Sequence, residues 1–292
     1  MGNVRPADVV VRQAVTVLDD IHDAIAEVDP SVSEVAPPEY ADKIRGLSIY
    51  VPKLVKFPDN SDGWANDDYG MVQQVSYAIE HNPSLSYSPE NPYLADFRNS
   101  TQRMEYIDGE HKPTILLGFL NDFRADNQRP CGLSVRTQFV LDNPLPMNTS
   151  SNNIIGWNGS TLRTEIMPQI KAGMHQELAD IITPILKQTH QRANVGGFIV
   201  SEDDLWIEGL SEVEGRSGFT LDGILYPHYA YVGGRHGRLP DGTAVRKWLR
   251  NPILGADHSF STVNASGSTG SIASNSPDTY YCVCYSIGGK YD

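Results

Sequence analysis

Val10, Ala14, Val17, Ile21, Ala24 and Val28 recur at intervals of 4, 3, 4, 3 and 4 residues. That is the a/d seam of a coiled coil, and it predicts a helix over residues 6–28. Pro6 suits its first turn and Pro30 ends it. The β-branched seam residues favour self-association, a trimer being one form that fits, without fixing the oligomer number. The same stripe could also dock on the protein's own surface, although a single helix of this length is marginal alone. These six residues are the candidate assembly interface.

Pro37 and Pro38 open a second short helix with Tyr40, Ile44 and Leu47 on one face and Gly46 at the C-cap. Residues 48–56 alternate as a strand, and residues 57–70 are polar and read as a loop. Within that loop Asp59-Asn60-Ser61-Asp62-Gly63 hints at a calcium loop. It lacks the alternating ligands and terminal glutamate of an EF-hand, so a solvated turn is the expectation.

Beyond it the pattern predicts a helix over 71–81 and an extended loop marked by Pro83, Pro89 and Pro92. Strands are predicted at Thr114–Leu120, a continuous apolar run, and at Leu133–Leu141, which alternates. Helices follow at Thr161–Ile170 and His175–Ile182, then short strands at Phe198–Val200 and Leu205–Ile207. After Gly215 short strands and glycine turns run to the end. The organisation expected is a helical anchor or oligomerisation segment at 1–47, a connector at 48–64 and one α+β domain at 65–292.

Composition narrows the function classes. The chain has 292 residues, 40% hydrophobic and 20% charged, with 25 glycines and 19 prolines, as a folded, turn-rich protein should. A net charge of −13 argues against a nucleic-acid partner, because phosphate contacts need clustered Lys and Arg. No segment reaches the roughly 18 apolar residues that span a bilayer, so no membrane insertion is expected. The N-terminus lacks an apolar signal core, and Pro6 stands where a myristoylation motif wants Ser or Thr; synthesis without export is the expectation. The sequons at Asn99, Asn148, Asn158 and Asn264 are then chance matches.

Three cysteines cannot build a disulfide framework. Cys282 and Cys284 are the close pair. On a strand, residues two apart share a side, so both thiols could reach one metal, or both could simply pack. No H-E-x-x-H, C-x-x-C, G-x-S-x-G or Walker loop occurs, and Gly233 to Arg238 reads as an exposed hairpin. No cofactor and no metal are expected. The stretch from Asp257 to Tyr285 is dense in Asn, Ser, Thr, Gly, Asp and Tyr, a mixture that suits a contact surface and equally a turn-rich meander.

Several blocks carry a resemblance. The run Ile115 to Phe123 and, after a polar loop, Cys131 to Gln138 come first, then Met147-Asn148, Gly156-Trp157 and Ser160 to Arg163. Ile182 to Lys187, Asp204 to Ile207, Ser211 to Gly215 and Lys247 to Pro252 follow in order. The series resembles a domain family of unknown function found in phage, prophage and Firmicute proteins, over roughly residues 65–290. Its ending is similar to that of the C-type-lectin-like fold of formylglycine-generating enzymes and of the variable proteins of diversity-generating retroelements. The chain departs from the pattern at Ile155, at Lys247 and at Tyr280 to Tyr285. Near the N-terminus Ile21, Ala24 and Ile25, then Pro37, Glu39, Tyr40, Ala41 and Ile44, resemble the start of many phage tail and head proteins.

The resemblance implies a bacteriophage virion component, made in the host cytoplasm and displaying a lectin-like domain that decorates head or tail. Its partners would be virion proteins and a host-surface glycan or protein. The ligand-binding candidates are Trp248, Arg250, Asn264, Tyr280, Tyr281 and Tyr285. Two rivals stand beside this non-enzymatic reading: a stand-alone bacterial carbohydrate- or protein-binding module, and a copper or thiol oxidase-like enzyme using Cys282 and Cys284.

Overall fold

The computed structural model describes residues 56–154, 156–192, 195–215, 223–231, 234–253 and 255–290. The segment 1–47 predicted to be helical, its seam and residues 48–55 of the connector lie outside the described residues. Among those described, the chain is mixed α and β, with twelve strands in four small sheets.

The first helix, α1 (Tyr69–His81), starts where the Asp68 carboxylate accepts a bond from Met71 N at 2.7 Å, one of the orphan amides of a helix start. It buries Val72, Val75, Ala78 and Ile79, a 3–4 spaced stripe. The segment expected to be an extended loop instead holds a 3₁₀ turn (Pro83–Leu85) and α2 (Leu94–Asn99), which buries Leu94 and Phe97. A second helix survives between prolines because Pro92 precedes its first turn.

Strands β1 (Arg103–Ile107) and β2 (Glu110–Phe119) form a hairpin closed by Asp108 and Gly109, both at positive φ (54° and 79°), as a primed turn requires. With β4 (Leu133–Thr137) and β12 (Cys284–Ile287) they build an antiparallel sheet in the order β1-β2-β4-β12. The outer side of β12 is bridged by Ile182 and Trp206.

A second sheet is β3 (Phe123–Arg124), β5 (Ile185–Arg192) and β6 (Val195–Asp203). The sequence pattern marked only Phe198–Val200 of this hairpin; β5 was not predicted, and of Leu205–Ile207 only Trp206 makes a bridge. Strands β9 (Lys247–Pro252), β10 (Ser259–Val263) and β11 (Thr269–Ala273) make the third sheet, and β7 (Gly237–Arg238) and β8 (Ala244–Val245) the fourth. The first predicted helix after residue 160 begins as a wide π-type turn, Leu162–Ile166, and continues as α3 (Met167–Ala172). The second is α4 (Gln176–Ile181). Two short helices, α5 (Leu210–Glu214) and α6 (Pro227–Tyr231), flank the β9 region.

All four tryptophans, Trp64, Trp157, Trp206 and Trp248, are fully buried. Trp64 and the partly buried Phe57 pack in the one core, so the end of the predicted connector is built into a unit running from Val55. The candidate calcium loop is closed by a side chain: Asp67 accepts from Ser61 Oγ and from Asp62 N, each at 2.6 Å.

Candidate functional site: a buried charge network under an open cleft

On β5 the alternation that makes a strand amphipathic is inverted in chemistry. Ile185, Lys187 and Thr189 point inward and are buried, while Leu186 and Gln188 are half-exposed. Lys187 therefore carries an ammonium into the core. All three of its protons find partners: Asp122 Oδ1, Glu212 Oε1 at 2.7 Å and the Tyr226 hydroxyl at 2.9 Å. The Trp206 ring lies 4.4 Å from Nζ, a favourable place for a cation.

Each acceptor is held in turn. Asp122, in the loop between β2 and β3, accepts at Oδ2 from Ser134 Oγ of β4 (2.5 Å) and Ser286 Oγ of β12 (3.2 Å). The Tyr226 hydroxyl donates to Asp122, 3.0 Å from Oδ1. Glu212 sits in the first turn of α5 and accepts from Gly209 N at 2.8 Å, half of a capping box, since Gly209 has no side chain to return the bond. It also receives Arg250 Nη1 at 2.5 Å and Nη2 at 2.9 Å, a bidentate pair. Burial opposes the Glu212 charge, but Arg250 and Lys187 outweigh it and hold the carboxyl below its usual range. Two carboxylates thus face two cations.

A second cluster adjoins it through Arg250 N, which donates to Glu208 O at 3.0 Å. Glu208 receives the Tyr229 hydroxyl, Lys247 Nζ at 2.9 Å and Arg136 Nη1 at 3.2 Å. Burial works against this carboxylate too, yet Lys247 and Arg136 bring it down to about 2. Burial, then Arg136 and Lys247, push the neighbouring His228 down to about 3, so its ring stays neutral.

Of the six ligand-binding candidates, four are interior. Trp248 is fully buried and donates Nε1–H to Leu145 O at 2.8 Å; Arg250 is spent on Glu212; Tyr281 and Tyr285 lie in the core. This corrects the expected surface. Strands β9, β10 and β12 are buried at every position, covered on both faces, so alternation there sends no side chain outward. Asn264 and Tyr280 remain half-exposed. Asn264 closes the β10–β11 hairpin, accepting from Arg246 Nε at 3.1 Å, and Tyr280 lies beside β9, its carbonyl accepting from Trp248 N at 2.8 Å.

The two close thiols are also interior. Burial raises both, Cys282 lies 3.9 Å from Arg136 Nη1 and Cys284 opens β12. No group of three His, Cys, Asp or Glu among the described residues is placed to hold a metal ion.

What is open is a cleft of about 590 Å³ above the first cluster. Asp122, Lys187 and Glu212 form its floor, and Asn121, Phe123, Gln128, Gln188, Val200 and Ile224 its walls. Phe123, Val200 and Ile224 are 45%, 57% and 61% exposed, high for large apolar side chains. None of these residues was named as a site residue from the sequence, although Lys187 and Glu212 stand in resemblance blocks. The available signal was Lys187 itself, a lysine at the inward position of a strand-length run. A second groove of about 610 Å³ lies between Arg163 and Lys171, where Arg163 meets Asp203 at 2.5 Å and Lys171 meets Asp204 at 2.8 Å.

The resemblance blocks converge here. Lys187, Trp206, Glu212 and Arg250 come from four of them and share one neighbourhood, while Trp157 and Arg163 of the earlier blocks both bind Asp203. No protein-family model, curated protein or solved structure matches the chain.

Proposed function

We propose that the protein is a bacteriophage virion component, attached through its N-terminal segment and displaying a binding domain of C-type-lectin-like type. One observation carries the binding half of this reading. In the cleft the accessible side chains are apolar or amide, while the ionisable groups beneath them are bonded to one another. Such a wall makes contacts, as ligand pockets with a few polar groups do. The convergence of the sequence blocks on one interior network supports the family resemblance as a signature of fold. The buried, raised thiols of Cys282 and Cys284 favour packing over thiolate chemistry.

The attachment half is tested by sizing the full chain beside a chain lacking residues 1–47. Loss of an oligomer on truncation supports it; two monomers overturn it. Pull-down on host cell envelopes, with and without Phe123→Ala, tests the display half: retention that depends on Phe123 supports it, and absence of retention overturns it.

A further inference from the structure

The geometry points to an amide bond between Lys187 Nζ and the side-chain carboxyl of Asp122, formed by the folded protein itself. The two groups are in direct contact, 65 positions apart in sequence, with each side chain only 3% exposed. The reaction closes without any co-reactant. The ammonium and carboxylate become an amide and one water: the Nζ–C bond forms, the C–Oδ1 bond breaks, and two Nζ protons leave with Oδ1.

Each step has a group in place. Direct transfer across the Nζ–Oδ1 contact gives the neutral amine and neutral acid, so the nitrogen lone pair can attack the carboxyl carbon. The second proton has a bridge, because the Tyr226 hydroxyl accepts from Nζ at 2.9 Å and donates to Oδ1 at 3.0 Å. It can take one proton and pass on its own. Glu212, pinned by Arg250, aims the nitrogen from 2.7 Å. The departing water has an exit, since Asp122, Lys187 and Glu212 all line the floor of the open cleft.

The product is already solvated by the fold. The remaining oxygen, Oδ2, keeps its bonds from Ser134 and Ser286, and the amide N–H keeps Glu212 Oε1 as acceptor. The charges lost are one of each sign, which leaves Glu212 and Arg250 as a neutral pair. An ordinary buried ion pair has no need of that arrangement, with both product groups satisfied and a hydroxyl spanning the two reacting atoms. Holding the partners in contact supplies an effective concentration of roughly 10⁵ M or more, which offsets the cost of condensation in water.

Intact-mass spectrometry of the denatured full chain decides it. The expected mass, after allowing for removal of Met1, is one water below that of the sequence. Digestion should yield a branched peptide joining the segments that carry Asp122 and Lys187. The full sequence mass overturns the proposal. So does a water loss mapped to a linear peptide, as an Asp-Gly succinimide would give. Lys187→Arg should restore the full mass, and a persisting water loss there overturns it. Tyr226→Phe, which keeps the ion pairs, should form the bond about tenfold more slowly in freshly made protein. An unchanged rate overturns the relay.

Discussion

Arg250 presents both terminal nitrogens to Glu212, at 2.5 and 2.9 Å, where the two side chains are 0% and 2% exposed. The pair joins β9 to the first turn of α5 and holds the carboxylate that aims Lys187.

Breaking that pair from one side leaves a charge buried with too few partners. Arg250→Ala is expected to destabilise the domain by about 3–5 kcal/mol, read from the urea unfolding midpoint. Replacing both partners, as Arg250→Met with Glu212→Leu, should recover part of the loss. A double variant no more stable than the single one would contradict this account.

Acid should loosen the domain in two stages. The folded-state value of His228 is about 3 against 6.5 when unfolded, so the unfolded chain binds the extra proton first. Stability is full above pH 6.5 and falls as pH drops through the window between the two values, by about 2 kcal/mol at pH 5. Glu208, about 2 against 4.5, adds its own loss below pH 4.5 in the same direction. His228→Gln should flatten the slope between pH 6.5 and 5 while leaving the steeper part below it, as denaturant titrations across pH would show.

Trp64 tests the domain boundary. It is fully buried, and its backbone N–H donates to Asp96 Oδ2 at 2.7 Å. Trp64→Ala is expected to cost about 3–5 kcal/mol. A chain starting at residue 48 should keep the cooperative melt of this domain, and one starting at residue 65 should lose it. Calorimetry of both chains decides.

The cleft walls are expected to tolerate change. Phe123→Ala and Ile224→Ser remove exposed apolar area, so each should shift stability by only about 0.5 kcal/mol. On the proposed display function, their effect should appear in retention on host envelopes, several-fold down, at unchanged thermal midpoint.

What the sequence revealed follows from where polarity and burial agree. Helix α1 and strand β2 were legible because their apolar positions match their buried ones, and strand β4 because Leu133 and Val135 alternate with polar residues, although those are buried too. Strand β5 was hidden because Lys187, Gln188, Thr189, His190 and Gln191 are all polar and show no apolar alternation, although Lys187 and Thr189 face inward. Periodicity assigns charged residues to solvent, and here Asp122, Lys187, Glu208, Glu212 and Arg250 are interior. Only partners distant in sequence make that affordable, and one-dimensional patterns do not contain them. The same limit misplaced Trp248, Arg250 and Tyr285, whose strands are covered on both faces, and Tyr281, buried just before β12.

Strand β12 pairs residues 284–287 with residues 133–136, and just after it Gly289 is pinned: its carbonyl accepts from Arg124 at 3.1 Å and its N–H donates to Glu80 at 3.1 Å. During synthesis the edge of β4 therefore waits for a strand made some 150 residues later. The order β1-β2-β4-β12 is complete only once residues 284–287 are available to pair with β4. A chain cut anywhere before β12 keeps an open, apolar strand edge, which marks it for aggregation or proteolysis.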